Sequence, residues 1–206
     1  KSGYIGDASQ TGTAGTAAYT CTATAGTQEI ALHKNGGTGT IKNNVGTVTS
    51  GVDNAGTMTC TTDTTISLPS WNSAATTNNT TNITKTNKVF VGWSTDSSCA
   101  STSCAITSTI SCPIGGAKYY AVWVDAGCTN GGTGVDSTNL QDVSGNAPRC
   151  NVNCSINYSQ NGGTDTTSSF VATGTAGTAT YKPNCAPKTS YTVTLNKNAD
   201  NATAGT

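Results

Sequence analysis

Apolar side chains come in short alternating runs separated by long stretches of Thr, Ser, Asn, Gly and Ala. QEIALHKN (28–35), TTISLP (64–69), KVFVGW (88–93), AKYYAVWV (117–124) and YTVTLNK (191–197) are rich in β-branched or aromatic residues and bounded by Gly, Asn, Ser or Thr. Such runs predict strands at 28–34, 64–69, 88–93, 117–124 and 191–197. Helical periodicity is nearly absent, so the fold class expected is mainly β. Three dipeptides, Asn35-Gly36, Asn130-Gly131 and Asn161-Gly162, predict hairpin turns, because each joins a residue that tolerates positive φ to one that favours it. Strict alternation along 88–93 places Val89, Val91 and Trp93 on one side and Phe90 on the other, with Gly92 leaving room for a neighbouring chain. The core expected is Trp93, Trp123, Phe90, Val91, Ile30, Leu32, Ile66 and Leu68.

Composition sharpens this picture. Leu, Ile, Val and Phe together make only 27 of 206 residues, about 13%. That is thin for a hydrophobic core, yet the net charge is zero, so the signature of a disordered chain is only half met. Nine cysteines supply the missing stability: Cys21, Cys60, Cys99, Cys104, Cys112, Cys128, Cys150, Cys154 and Cys185. Small domains with weak cores are commonly stapled by disulfides in oxidising, extracellular surroundings. The short polar loop between them favours Cys99 with Cys104, and Cys60 with Cys112 is the next pairing expected. Charged residues are 10% of the chain and form no basic cluster, which argues against nucleic acid as a partner. No apolar run reaches the roughly 18 residues of a membrane span, so no membrane insertion is expected of this segment.

The chain also repeats itself. TGTAGTAAY at 11–19 returns as TGTAGTATY at 173–181, an offset of 162. A cysteine follows each copy, Cys21 or Cys185, and then an alternating strand ending in Lys-Asn: QEIALHKN at 28–35 and YTVTLNKN at 191–198. An ordered series of tract, cysteine and strand marks a tandem period. If Cys185 is the counterpart of Cys21, each period holds eight cysteines, an even number. INYSQNGGT at 156–164 further echoes IALHKNGGT at 30–38.

Four pieces in order, IALHKNGG (30–37), ISLP (66–69), FVGW (90–93) and YAVW (120–123), carry a resemblance. They resemble the internalin B-repeat, or Listeria-Bacteroides repeat, of bacterial surface proteins. The likeness spans about residues 28–124 and implies a β-grasp-like module. The stretch from 70 to 86 is too rich in Thr and Asn for a good helix. The organisation expected is therefore tandem small β modules, disulfide-stapled. Residues 1–27 would be the end of a preceding module or a linker, 28–125 the internalin B-repeat-like module, 126–190 a second small β module, and 191–206 the start of the next repeat.

Candidate chemistry changes little. His33 is the one histidine, on an alternating strand facing solvent or an edge, and it has no evident partners for catalysis. Cys150-x3-Cys154 and Cys99-x4-Cys104 have metal-like spacing, but this composition favours disulfides, and neither metal nor other cofactor is expected. NGGTGT at 35–40 lacks the Lys-Ser or Lys-Thr end of a phosphate loop and reads as a turn. Asp136, Asp142 and Asp165 fit no calcium-loop pattern. Trp71, in a polar loop, has the chemistry to stack on a sugar. Six Asn-x-Ser/Thr triplets, at Asn78, Asn79, Asn82, Asn153, Asn157 and Asn201, are glycan acceptors by pattern. These features lead to a structural, non-enzymatic protein of the extracellular cell surface, a stalk, fibre or filament whose partners are copies of itself or adjacent repeats. The alternative is an adhesin-type binding module recognising a glycan or a host surface protein.

Overall fold

The computed structural model of the chain describes residues 2, 4–5, 14–15, 24–43, 46–48, 54–104 and 108–189. Cys21, Asn201 and the strand expected at 191–197 lie outside them. Every regular element among the described residues is a strand. In chain order they are β1 Tyr4–Ile5, β2 Thr24–Ala25, β3 Thr27–His33, β4 Ile41–Asn43, β5 Gly46–Val48, β6 Asn54–Thr61 and β7 Thr65–Ser67. Next come β8 Ser70–Trp71, β9 Thr80–Thr81, β10 Lys88–Ser94, β11 Thr109–Ser111, β12 Ala117–Asp125 and β13 Gly127–Cys128. The last are β14 Val135–Ser144, β15 Ala147–Cys154, β16 Tyr158–Ser159, β17 Ser169–Thr173, β18 Thr180–Tyr181 and β19 Ala186–Pro187.

The first lobe is built on a four-stranded sheet of order β10-β12-β3-β6. Its central pair, β12 and β3, is parallel, and antiparallel partners flank it on both sides. Parallel neighbours cannot be joined by a tight turn, so the chain from β3 to β12 must cross over. It does so through β4–β11, including a second sheet of order β5-β4-β9-β8. Ile41 of that sheet and Ile83 just after it pack with Ile30, Leu32, Met58, Leu68, Phe90, Trp93 and Trp123 in one buried cluster. Threonines enter this core because their hydroxyls find backbone acceptors: Thr62 donates to Gly26 O at 3.0 Å and Thr81 to Thr40 O at 2.9 Å.

The second lobe is a three-stranded antiparallel sheet, β14-β15-β17, with β13–β18 and β16–β19 as two small pairs. Along β15, Cys150 and Val152 turn inward while Arg149, Asn151 and Asn153 turn outward. The outer face is a ladder of polar pairs. Asn151 Nδ2 donates to Asn139 Oδ1 at 3.1 Å, Asn153 Nδ2 to Ser137 Oγ at 3.0 Å, and Ser169 Oγ to Asn153 Oδ1 at 2.7 Å.

Four disulfides close the two lobes: Cys60–Cys112 and Cys99–Cys104 in the first, Cys128–Cys150 and Cys154–Cys185 in the second. Their spans of 52, 5, 22 and 31 residues differ in worth. Loop-closure entropy assigns about 4 kcal/mol to the longest and about 2 kcal/mol to the shortest.

Several sequence expectations are corrected by this architecture. A β-bulge between Phe90 and Gly92 breaks the alternation of β10. Phe90 and Trp93 consequently share the first-lobe core, at 5.3 Å between ring centroids, while Val89 is fully buried outside that cluster. Val91 is not core; it sits at the bulge, half-buried. Ile66 is only partly buried against the cluster. None of the three Asn-Gly dipeptides makes a hairpin. After Asn35-Gly36 the chain leaves β3 for β4, which pairs with β5 and β9. β13 pairs with β18 rather than with β14 beyond Asn130-Gly131, and β16 pairs with β19 rather than with β17 beyond Asn161-Gly162. A two-residue hairpin turn is found instead at Gly145-Asn146, between β14 and β15, with φ of 59° and 55°. Such a turn needs positive φ at both positions, and Gly-Asn supplies it as well as Asn-Gly does.

Candidate functional site: the joint between the lobes

One residue, Ala126, separates the last strand of the first lobe from the first strand of the second. Its N–H donates to Asn87 O at 2.9 Å, and the next N–H, of Gly127, donates to Ala179 O at 2.9 Å. The chain thus passes from one lobe's hydrogen bonds to the other's without a free residue. Few linkers leave less freedom for bending.

A second tie is made by a side chain. β10 is an edge strand of its sheet, and edges leave N–H and C=O groups in want of partners. The Gly145-Asn146 turn brings the Asn146 amide to this edge. Phe90 N donates to Asn146 Oδ1 at 2.7 Å, and Asn146 Nδ2 donates to Phe90 O at 2.8 Å. The amide imitates one more residue of a paired strand. Asn146 is 3% exposed, so both bonds are formed away from water, where leaving either unmade is costly. Its own carbonyl accepts from Gly177 N at 2.8 Å, which holds the turn to the rest of the second lobe.

Aromatic rings surround this clasp. Phe90 meets Trp93 and Trp123 edge-on, with centroids 5.3 and 5.8 Å apart. The indole N–H of Trp93 donates to Pro69 O and that of Trp123 to Lys34 O, both at 2.8 Å. Gly37 is required here, since a Cβ on it would collide with the Trp123 ring. Trp71 is not the exposed platform its polar surroundings suggest. It is partly buried against the first-lobe core, and its ring lies about 4.0 Å from where a Cβ on Gly145 would stand. Its indole nitrogen is buried without a hydrogen-bond partner among the described residues. A cleft of about 250 Å³ remains, lined by Pro69, Trp71, Phe90, Trp93, Asn146 and Gly177 among others. No lining side chain ionises, so the cleft offers packing and hydrogen bonding rather than proton transfer.

The other sequence candidates lie apart from the joint. His33 is half-buried and stacked on Tyr120, with centroids 4.9 Å apart. Cys150 and Cys154 are bonded to Cys128 and Cys185, not to each other, and neither they nor Cys99 and Cys104 offer thiolates to a metal. Among the described residues no three His, Cys, Asp or Glu side chains converge as metal ligands. Asp142 pairs with Arg149 at 2.9 Å. Asp165 closes its own turn, accepting from Asn161 N, Asn161 Nδ2 and Thr167 N. Of the glycan acceptors, Asn78, Asn153 and Asn157 are exposed. Asn82 Oδ1 is taken by Thr40 N and the Asn153 amide by the ladder, and the Asn79 amide oxygen is buried.

Three of the four resemblance segments meet in one sheet: β3 carries IALH, β10 carries FVGW and β12 carries YAVW. ISLP lies elsewhere, with β7 paired to β11 and Leu68 in the core. Asn146 was missed by sequence reading, although Gly145-Asn146 does stand between two runs of strand length. No family model, curated protein or solved structure matches the chain.

Proposed function

We propose that the protein is a structural, extracellular repeat protein: a length of stalk, fibre or filament on a cell surface, with copies of itself or adjacent repeats as partners. The observation that carries this reading is the joint, a one-residue junction reinforced by the buried Asn146–Phe90 pair. A spacer must transmit orientation from one module to the next, and a joint without slack does so. Supporting it are the 162-residue sequence period and the four disulfides, which are compatible with an extracellular protein. The parallel central pair with antiparallel flanks supports the likeness to a β-grasp-like bacterial surface repeat. No helix among the described residues is long and apolar enough to cross a membrane.

The test is to uncouple the joint. Asn146→Ala leaves the Phe90 N–H and C=O without partners and should cost about 2 kcal/mol. Scattering should show a stiff body for the parent chain and a more variable angle between lobes for the variant. A parent chain whose lobes already move independently would defeat the proposal. The alternative, an adhesin-type module, predicts quenching of tryptophan emission by a bound glycan, abolished by Trp71→Ala.

A further inference from the structure

One edge of the second lobe's sheet is open and fits a second copy of itself. We infer that β17 pairs antiparallel with β17 of another copy of this chain, about a two-fold axis at Val171, so that two three-stranded sheets become one of six strands. The pairing does not rest on the stalk reading, which concerns joints along one chain; β17 joins two chains side by side.

The ladder between β15 and β17 fixes which groups are open. Opposite residues of antiparallel strands alternate between pairs that exchange both backbone bonds and pairs that exchange none. Cys154 N donates to Ser168 O at 2.7 Å, and Gly174 N donates to Pro148 O at 2.9 Å. Residues 168, 170, 172 and 174 therefore turn their N–H and C=O groups toward β15, with which β17 pairs in continuous register. Ser169, Val171 and Thr173 turn theirs away from the sheet, and all three residues are exposed. Successive outward donors and acceptors are a template for another strand.

The other edges of the two main sheets are guarded. At β10 the Asn146 amide takes both backbone groups of Phe90. β14 is interrupted by two register shifts, and its Thr138 N donates to Asn130 Oδ1 at 2.8 Å. β6 lies beside β4 and β5. β17 has neither bulge nor charge: from Thr166 to Ala176 the chain holds no Lys, Arg, Asp, Glu or Pro. Those are the residues by which edge strands avoid pairing with other chains.

The strand also complements itself. With Val171 on the axis, Val171 stands opposite Val171 of the second copy, Ser169 opposite Thr173, and Phe170 opposite Ala172. Ser with Thr is a favoured cross-strand pair, and the small Ala172 leaves room for the Phe170 ring. Phe170 and Ala172 are only partly buried against the second-lobe core, and a strand beside them completes their cover. Both copies use the same patch, so the contact closes as a dimer.

The test follows the mass of the full chain by sedimentation across a concentration series. The parent should pass from one chain to two. As it does so, amide exchange should slow at Ser169, Val171 and Thr173, while Phe170 and Ala172, already bonded to β15, keep their rates. Val171→Lys and Val171→Asp should each weaken the dimer about tenfold or more, because like charges then stand opposite at the axis, and mixing the two variants should restore it. Val171→Pro removes an outward N–H, at a place where edge strands accept proline, and should weaken the dimer similarly. Ile156→Lys, at a residue 88% exposed in a different turn, should leave association unchanged. A parent that stays monomeric, a dimer that Val171→Lys leaves intact, or outward amides that exchange alike at every concentration overturns the pairing, and each leaves the stalk reading standing.

Discussion

The two lobes share one impoverished composition and solve it differently. The first gathers Ile30, Leu32, Ile41, Met58, Leu68, Ile83, Phe90, Trp93, Tyr119 and Trp123 into a single buried cluster. The second fully buries only Cys150, Val152 and Cys185 at the centre of its own, so two of its three innermost side chains are half-cystines. Cys60–Cys112 is one buried bridge within an interior that aromatic and aliphatic side chains mostly fill. Cys128–Cys150 and Cys154–Cys185, with Val152 between them, form the centre of the second lobe's interior. A chain with few large apolar residues can concentrate them in one place and let sulfur hold the other.

Reduction should separate the two solutions most sharply. The two second-lobe bridges, spanning 22 and 31 residues, contribute about 3.5 kcal/mol each by loop entropy, a large part of the 5–15 kcal/mol typical of a whole domain. With all bridges reduced under otherwise native conditions, hydrogen exchange should show protection lost at Cys150, Val152 and Phe170. Trp71, Trp93 and Trp123 all belong to the first lobe, which loses about 4 and about 2 kcal/mol with its own bridges but keeps its apolar cluster, so their emission should change less than second-lobe protection does. Simultaneous loss of both signals would mean that sulfur supports the lobes equally. Trp93→Ala is the converse probe. It empties the middle of the apolar cluster and frees Pro69 O, and should cost about 3–5 kcal/mol in chemical denaturation. The tryptophan-reported transition should move while second-lobe protection stays; an effect within error would place Trp93 outside the core.

This division also explains what was legible in the sequence. The strands at 28–34, 88–93 and 117–124 stood out because Ile, Val, Trp and Tyr mark strands by chemistry as well as by period, and they became β3, β10 and β12. The second lobe hid. RCNVNC at 149–154 alternates as cleanly as any strand, but its inward residues are Cys and Val and its outward ones Arg and Asn, so the run lacks the aromatic and branched residues that draw attention. The bulge that swings Phe90 to the same side as Trp93 is a property of the pairing between β10 and β12, which a single strand's pattern cannot reveal. Asn146 was hidden for a related reason. Its role depends on an edge 56 residues away, and only its neighbour Gly145 marked a turn.

Acid offers a gentler form of the same comparison. In the second lobe, the Thr167 and Asn161 backbone N–H groups, with the side chains of the same two residues, hold the Asp165 carboxyl below the ordinary aspartate value of 3.8. Asp96, in the first lobe's outer loop, is lowered likewise by the Ser98 hydroxyl and N–H. A depressed folded value means that each turn's stabilisation is complete above the ordinary value and is lost as pH falls through the lower, folded one. Both carboxylates are fully exposed, so the effect is small and local. The difference lies in what each turn supports. Ser159 Oγ accepts from Gly162 N and Gly163 N donates to Pro187 O, so the Asp165 turn adjoins the β16–β19 pair close to Cys185. The Asp96 turn only leads into the Cys99–Cys104 loop and lies outside the apolar cluster. Lowering the pH below 3.8 should therefore speed exchange at Thr167 and then at the β16–β19 amides, with tryptophan emission constant. Asp165→Asn should remove the pH dependence at Thr167 and leave that at Ser98. Parallel acid responses in both lobes would erase the distinction between an interior made of side chains and one made of cross-links and turns.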